Sequence, residues 1–273
     1  MKKYANFKGF DFEAFGAKIG VRSNAPEVLT MIETILPEVI PENLEFKKIK
    51  DAEHIFTIEY EDASGKFYIS KNGEELTFYT GKDRLVEYLC SQIRITVAEF
   101  AESKVFLHAG AVGWKDSAII IPGSSYSGKT TLVSELIRYG AEYYSDEYAV
   151  LDEEGFLHPY PKMLSMRGII NEYDQVDTPP HVFGAKIGKK KIPVGLILIT
   201  EFESETEWNP QILNAGEGIM EILQHTIPIR FKPDFVLKVL KKTASRAIIA
   251  KSKRGDAKVL IPLILKYFEA VRL

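Results

Sequence analysis

The sequence predicts a mixed α/β fold in two parts: an N-terminal α+β module over residues 1–103 and a mixed-sheet domain over 104–273. Three observations carry that expectation. A first helical pattern is followed by three short β-like runs separated by turn residues. A long amphipathic stretch comes next. A strand-like run then enters a glycine-rich loop that opens another helix pattern.

From Ala25 to Ile40 the apolar residues Val28, Leu29, Ile32, Ile35 and Leu36 recur at helical spacing, and the Pro41-Glu42-Asn43 turn ends them. The β-like runs are Ile55–Tyr60, Lys66–Ser70 and Glu75–Tyr79. Ala63-Ser64-Gly65 and Lys71-Asn72-Gly73 separate them, and Asn-Gly tolerates the positive φ angles of a tight hairpin, so an antiparallel meander is expected. From Asp83 to Ser103, Leu85, Val86, Leu89, Cys90, Ile93, Val97 and Phe100 share one helical face, which makes Cys90 a small core residue. Beyond it, strands are expected at Val105–Leu107, Ala118–Ile121, Tyr148–Leu151 and Val194–Ile199. The last is nearly all apolar, as a strand buried on both faces must be.

Composition limits the function classes. Across 273 residues, 45% hydrophobic and 27% charged residues describe a globular chain with a sizeable core, which excludes disordered and collagen-like readings. The 35 Lys and Arg against 38 Asp and Glu leave a formal charge of −3, no general polyanion-binding signature, and no nucleic-acid partner is expected. One cysteine excludes an intramolecular disulfide and a multi-cysteine metal site. The opening MKKYANFKGFDFEAFG has no apolar run behind its lysines, and no stretch approaches a membrane span, so a cytoplasmic protein without a membrane partner is expected.

The chemistry concentrates at Gly123-Ser124-Ser125-Tyr126-Ser127-Gly128-Lys129-Thr130, followed by Thr131, which fits G-x-x-x-x-G-K-[ST] at every fixed position. Such glycines let the backbone wrap phosphates with inward-pointing N–H groups, and the following helix aims its positive end at the same place. Lys129 would reach the β and γ phosphates of ATP, and Thr130 would join the Mg2+ shell. Gly140 stops the helix at its C′ position. Five residues on, Ser145-Asp146-Glu147 offers an acidic pair that can hold Mg2+ or accept a proton from an attacking hydroxyl. If the pair lies in a strand, neighbouring side chains point to opposite faces and only one faces the site.

The set His108-Ala-Gly-Ala-Val112, the loop at 123–130, Ser145-Asp146-Glu147 and Leu164-Ser-Met-Arg167-Gly168-Ile169 resembles the HPr kinase/phosphorylase family and its HPr-kinase-like relatives. The resemblance spans roughly 105–200 and fades toward Glu217–Thr226, which looks like a late helix of the relatives. It implies a fold related to phosphoenolpyruvate carboxykinase and ATP-dependent phosphorylation of a Ser-type hydroxyl. By the same resemblance Asp146 is the general base, His108 lies near it and the phosphates or is a packed strand residue, and Arg167 neutralises charge on the moving phosphoryl group or is an exposed loop arginine; the candidate Mg2+ ligands remain Thr130, Asp146 and Glu147. Ser165 stands where the bifunctional enzymes carry a glutamate, and Asp146-Glu147 where they carry two aspartates, so the resemblance does not extend to the second metal contact and leaves the reverse dephosphorylation open. The N-terminal region looks more like the short module of kinase-like relatives, some of which sit with peptide-modification systems. A homo-oligomer is compatible with the family, which includes hexamers.

The segment from Asn171 to Lys191, with Lys186, Lys189, Lys190 and Lys191, reads either as a mobile basic loop that closes over ATP or grips an acidic peptide, or as a solvated connection. Lys238, Lys241, Lys242 and Arg246 read as a surface helix face, while Trp114 and Trp208 carry no readable chemistry. The leading expectation is a kinase with cofactors ATP and Mg2+, acting on a peptide or protein with an acceptor hydroxyl. A kinase of a small hydroxylated metabolite such as free serine, and a nucleotide-dependent binding module with little turnover, are the alternatives.

Overall fold

The computed structural model describes residues 6–124, 127–167 and 175–271. The chain divides into two compact units, residues 1–102 and 103–273. Both mix strands with helices, as the sequence pattern predicts.

The first unit contains β1 (Lys8–Ala14), β2 (Ala17–Ser23), α1 (Pro26–Val39), β3 (Leu44–Phe46), β4 (His54–Glu61), β5 (Lys66–Lys71), β6 (Glu74–Tyr79) and α2 (Lys82–Phe100). Its six strands run β3-β1-β2-β4-β5-β6. The β4-β5-β6 meander is antiparallel, and the β5–β6 turn puts Asn72 at φ +51° and Gly73 at φ +86°, the conformation that Asn-Gly was expected to supply. β2 joins the meander in parallel to β4, and β1 and β3 extend the sheet beyond it. Phe12, Ile19, Val21, Phe56, Ile58 and Ile69 are buried, as are Ile32 and Leu36 of α1 and Leu85, Leu89 and Ile93 of α2. Cys90 belongs to this core, where burial pushes its thiol up to about 11 and makes it unreactive at neutral pH.

The second unit contains β7 (Lys104–Trp114), β8 (Ser117–Pro122), α3 (Lys129–Arg138), β9 (Glu142–Ser145), β10 (Tyr148–Asp152), β11 (Phe156–His158), β12 (Leu164–Arg167), β13 (Gln175–Thr178), β14 (Lys186–Ile187), β15 (Ile192–Phe202), β16 (Gln211–Ile212), α4 (Ala215–Leu223), α5 (Pro233–Ala244), β17 (Ile248–Arg254) and α6 (Ala257–Val271). β12 and β13 form a separate hairpin. The remaining nine strands form one sheet in the order β14-β9-β7-β10-β11-β15-β17-β16, with β8 pairing β7 and β15. β8, β15 and β17 run parallel.

Alternation along these strands feeds two cores. Ala118, Ile120, Val194 and Ile197 pack with Ile222 of α4 and Val236 and Leu240 of α5. Ile119, Ile121, Leu196 and Leu198 pack with Leu132 and Leu136 of α3 and Ile261 and Ile264 of α6. The result is an α/β/α sandwich, and it explains why β15 reads as an apolar run with no polar face. No helix among the described residues is long and apolar enough to cross a membrane.

Two local expectations are corrected. Asp146 and Glu147 lie in the tight connection between β9 and β10, not in a strand, so strand alternation does not decide which of them is buried. Lys186–Lys191 is tied to a sheet edge. β14 pairs with β9, the Gly188 N–H donates to the Tyr143 carbonyl at 2.9 Å, and the Tyr144 hydroxyl donates to the Lys190 carbonyl at 2.8 Å. Lys191 itself is 3.0 Å from Asp152 and lies over the Phe156 ring. Backbone pairing thus fixes the basic stretch that the sequence left free to be a mobile loop.

Candidate active site

The phosphate-loop motif occupies the strand–loop–helix junction its spacing requires: β8 ends at Pro122 and α3 begins at Lys129. Ser125 and Tyr126 lie outside the described residues. Gly128 is the helix N-cap at φ +81°, a left-handed conformation that favours glycine. Lys129 is buried, and its ammonium donates to the carbonyls of Gly123 at 2.9 Å and Ser124 at 2.7 Å. It therefore folds back over the loop that its own helix terminates. At the far end, the Gly140 N–H donates to Ile137 and the Ala141 N–H to Leu136, with Gly140 at φ +98°, which is a Schellman close.

The acidic turn meets α3 side on. The Thr130 hydroxyl donates to Asp146 Oδ2 at 2.9 Å, and the Ser165 N–H at the start of β12 donates to the same oxygen at 3.2 Å. Asp146 is only 6% exposed, and its Oδ1 is buried with no hydrogen-bond partner among the described residues. Burial pushes this carboxyl from its ordinary 3.8 up to about 7, against the opposing pull of Thr130, Ser165, Lys129 and Lys162. The turn itself is shaped by Ser145, whose Oγ accepts the N–H groups of Glu147 and Tyr148 at 3.3 and 3.1 Å.

His108 sits on β7 where that strand changes partner from β10 to β8. Its N–H donates to the His225 carbonyl at 2.8 Å, its carbonyl accepts from Gly123 at 3.3 Å, and the next N–H, of Ala109, donates to the Glu147 carbonyl at 3.1 Å. One strand position therefore ties the loop, the acidic turn and the end of α4 together. Burial and the nearby Lys129 charge pull the His108 imidazole down to about 4, so the ring is neutral at pH 7.

Of the other residues picked from sequence, Glu147 is ion-paired with Lys162 at 3.2 Å, and Thr131 is exposed on the first turn of α3. Arg167 closes β12 opposite Gln175, and its side chain lies outside the described residues. Among the described residues no group of three or more His, Cys, Asp or Glu is arranged to hold a metal. The unpartnered Asp146 Oδ1 beside the Thr130 hydroxyl is nonetheless a hard-oxygen pair of the kind Mg2+ accepts when nucleotide phosphates and water complete its shell.

Sequence reasoning missed two cations. Arg254, at the end of β17 and 3% exposed, donates through Nη2 to the carbonyls of Ser127 at 3.2 Å and Gly128 at 3.3 Å. A Cβ at Gly128 would collide with that same nitrogen, so glycine is required there for space as well as for φ. Lys162, 8% exposed, faces Glu147, Ser165 and Asp177. The available hint was positional: a cation ending the Ile248–Arg254 run before Gly255-Asp256, and one directly after Pro159-Tyr160-Pro161.

No protein-family model matches the chain, and no curated protein matches it. Among solved structures the chain is similar to the Hpr(Ser) kinase/phosphatase from Coxiella burnetii. The sequence identity is 15% and the TM-score 0.36, over 61% of this chain and 97% of that one.

Proposed function

We propose that the protein is an ATP-dependent kinase that transfers the γ-phosphoryl group to a Ser/Thr-type hydroxyl of a peptide or protein. The observation that carries this reading is Asp146: a buried carboxylate, fixed through one oxygen by Thr130 and Ser165, with its other oxygen unpartnered among the described residues beside a phosphate loop. A general base works best when its pKa lies near the operating pH, and about 7 meets that need.

In this reading the loop N–H groups and Lys129 hold the triphosphate, with Ser124, Ser127 and Thr131 at its rim and Ser125 and Tyr126 completing the loop. Thr130, with the phosphates and water, would hold Mg2+ beside the acidic turn of Asp146 and Glu147, and the ion would supply charge neutralisation on the phosphates. Asp146 takes the proton of the acceptor hydroxyl as its oxygen bonds to the γ phosphorus, and the bond to the bridging oxygen breaks to release ADP. His108, neutral at pH 7, offers a hydrogen bond rather than a charge. Arg167 is assigned to the transferring phosphoryl group.

The test is transfer from γ-labelled ATP into a fractionated cell extract, comparing wild type with Asp146→Asn and Lys129→Ala. Label in one peptide or protein fraction with wild type alone is the expected result. Label confined to small molecules would replace the acceptor with a metabolite. Bound ATP with no transfer at all would make the protein a nucleotide-dependent binding module.

A further inference from the structure

We propose that the Lys162 ammonium is a built-in cation that takes the place of a second divalent metal, so that the site loads only the one ion accompanying the nucleotide. The proposal rests on the kinase reading and adds to it the metal stoichiometry of the site.

Lysine is almost never buried unless its charge is met. Lys162 is 8% exposed, and its backbone is pinned before its side chain begins. Its carbonyl accepts from the Tyr143 hydroxyl, and its N–H donates to the Tyr160 carbonyl at 2.9 Å. Tyr160 is fully buried and packs edge-on against Phe106 at 5.8 Å. The ammonium is delivered by this rigid stem to a pocket of oxygens: Glu147 Oε2 at 3.2 Å, Ser165 Oγ at 3.4 Å and Asp177 Oδ2 at 3.9 Å.

Two carboxylates and a hydroxyl converging on one point form the donor set that a hard divalent cation takes. Here a buried ammonium already occupies that point, and a divalent ion brought to the same oxygens would meet a fixed like charge at contact distance. The β12–β13 hairpin maintains the arrangement. Ser165 and Asp177 are register partners, and the Ser165 hydroxyl donates to Asp177 Oδ1 at 2.8 Å. The same Ser165 donates its N–H to Asp146 Oδ2, so the lysine pocket and the Asp146–Thr130 pair share one backbone residue but use different oxygens. A cation at Asp146 Oδ1 is thereby left compatible with Lys162, whereas a cation between Glu147 and Asp177 is not.

The experiment is a Mn2+ titration of the full chain in a saturating non-hydrolysable ATP analogue, with free Mn2+ read from the electron paramagnetic resonance signal of the hydrated ion. Wild type is expected to bind one Mn2+ per chain, as is Lys162→Arg. Lys162→Gln should bind two, and Lys162→Gln combined with Asp177→Asn should return to one. Lys162→Met, which keeps the length of the stem, is measured beside Lys162→Gln so that a folding failure in one leaves the other to decide. Two Mn2+ in wild type, or one in the neutral variants with the analogue still bound, would overturn the proposal alone. Failure of wild type to bind the analogue would overturn the kinase reading together with it.

Discussion

The Thr130 hydroxyl donates to Asp146 Oδ2 at 2.9 Å, joining the first turn of α3 to the acidic turn between β9 and β10. That bond favours the charged carboxylate and opposes the burial that pushes Asp146 up. Replacing Thr130 by Val removes the donor while keeping the shape. The Asp146 pKa should then rise further above 7, and the acidic limb of kcat/KM against pH should move to higher pH. Transfer at pH 7 should fall by about 100-fold, a typical loss when a general base is mispoised. Thr130→Ser should retain both the limb and most of the rate. An acidic limb unmoved in Thr130→Val would show that Asp146 is not the titrating group.

Asp146 also links activity to stability. Its folded-state pKa, about 7, lies above its ordinary 3.8, so between those values the folded chain holds a proton that the unfolded chain has lost. The Asp146 contribution to stability is therefore most favourable in acid, falls as pH rises through that window, and its full cost is present above pH 7. At about 1.4 kcal/mol per pKa unit, the cost has a ceiling of about 4 kcal/mol. Asp146→Asn accepts from Thr130 and Ser165 without carrying charge. It should abolish transfer yet raise Tm at pH 8, with the gain shrinking toward pH 4. Thermal unfolding of the two proteins across pH measures it; a gain that grows toward acid would contradict the burial argument.

Gly140 and Gly128 both have positive φ but should respond differently to alanine. A Cβ at Gly140 meets nothing within 4 Å, so Gly140→Ala carries only the left-handed backbone penalty. That is about 1 kcal/mol, or roughly 3 °C in Tm, with ATP affinity unchanged. At Gly128 the new Cβ would strike Arg254, so Gly128→Ala should disturb the loop and weaken ATP binding by at least about 10-fold. Equal effects of the two substitutions on ATP affinity would contradict this distinction.

How much of this was legible in the sequence follows from the range of each signal. The meander, α1, α2 and the strand–loop–helix junction have local causes, namely Asn72-Gly73, an apolar face at helical spacing, and Gly128 before Lys129. Each was readable. β1, β2 and β3 were not identified. In β1, for example, Phe10 and Phe12 alternate with polar residues, but the two-residue turn that joins it to β2 is Phe15-Gly16, both at positive φ, without the Asn-Gly signature of the meander. Within the candidate site, the loop and the acidic pair were legible because they sit close in sequence. Arg254 and Lys162 were not. One reaches the loop from 126 residues away along the chain, and the other is placed by Tyr143 and Tyr160. The basic run at 186–191 shows a different gap: its composition leaves a mobile loop and a solvated connection both open, while backbone pairing with β9, invisible in composition, holds it.

Arg254 yields the last prediction. Its guanidinium bridges the Ser127 and Gly128 carbonyls, lies over the Phe202 ring at 5.5 Å, and leaves Nε buried without a hydrogen-bond partner among the described residues. That contact fixes the end of the loop where α3 begins, and the buried positive charge adds to the attraction for an anion there. A lysine cannot span two carbonyls as a planar fork does. Arg254→Lys should therefore weaken ATP binding by about 10-fold while keeping the fold. Arg254→Gln, which loses the charge as well, should weaken it by about 100-fold and flatten the salt dependence of ATP affinity. Calorimetric titration with a non-hydrolysable ATP analogue at two ionic strengths distinguishes these contributions. If Arg254→Gln bound the analogue as wild type does, the arginine would be a packing element only, and the loop would owe its shape to Gly128 and Lys129 alone.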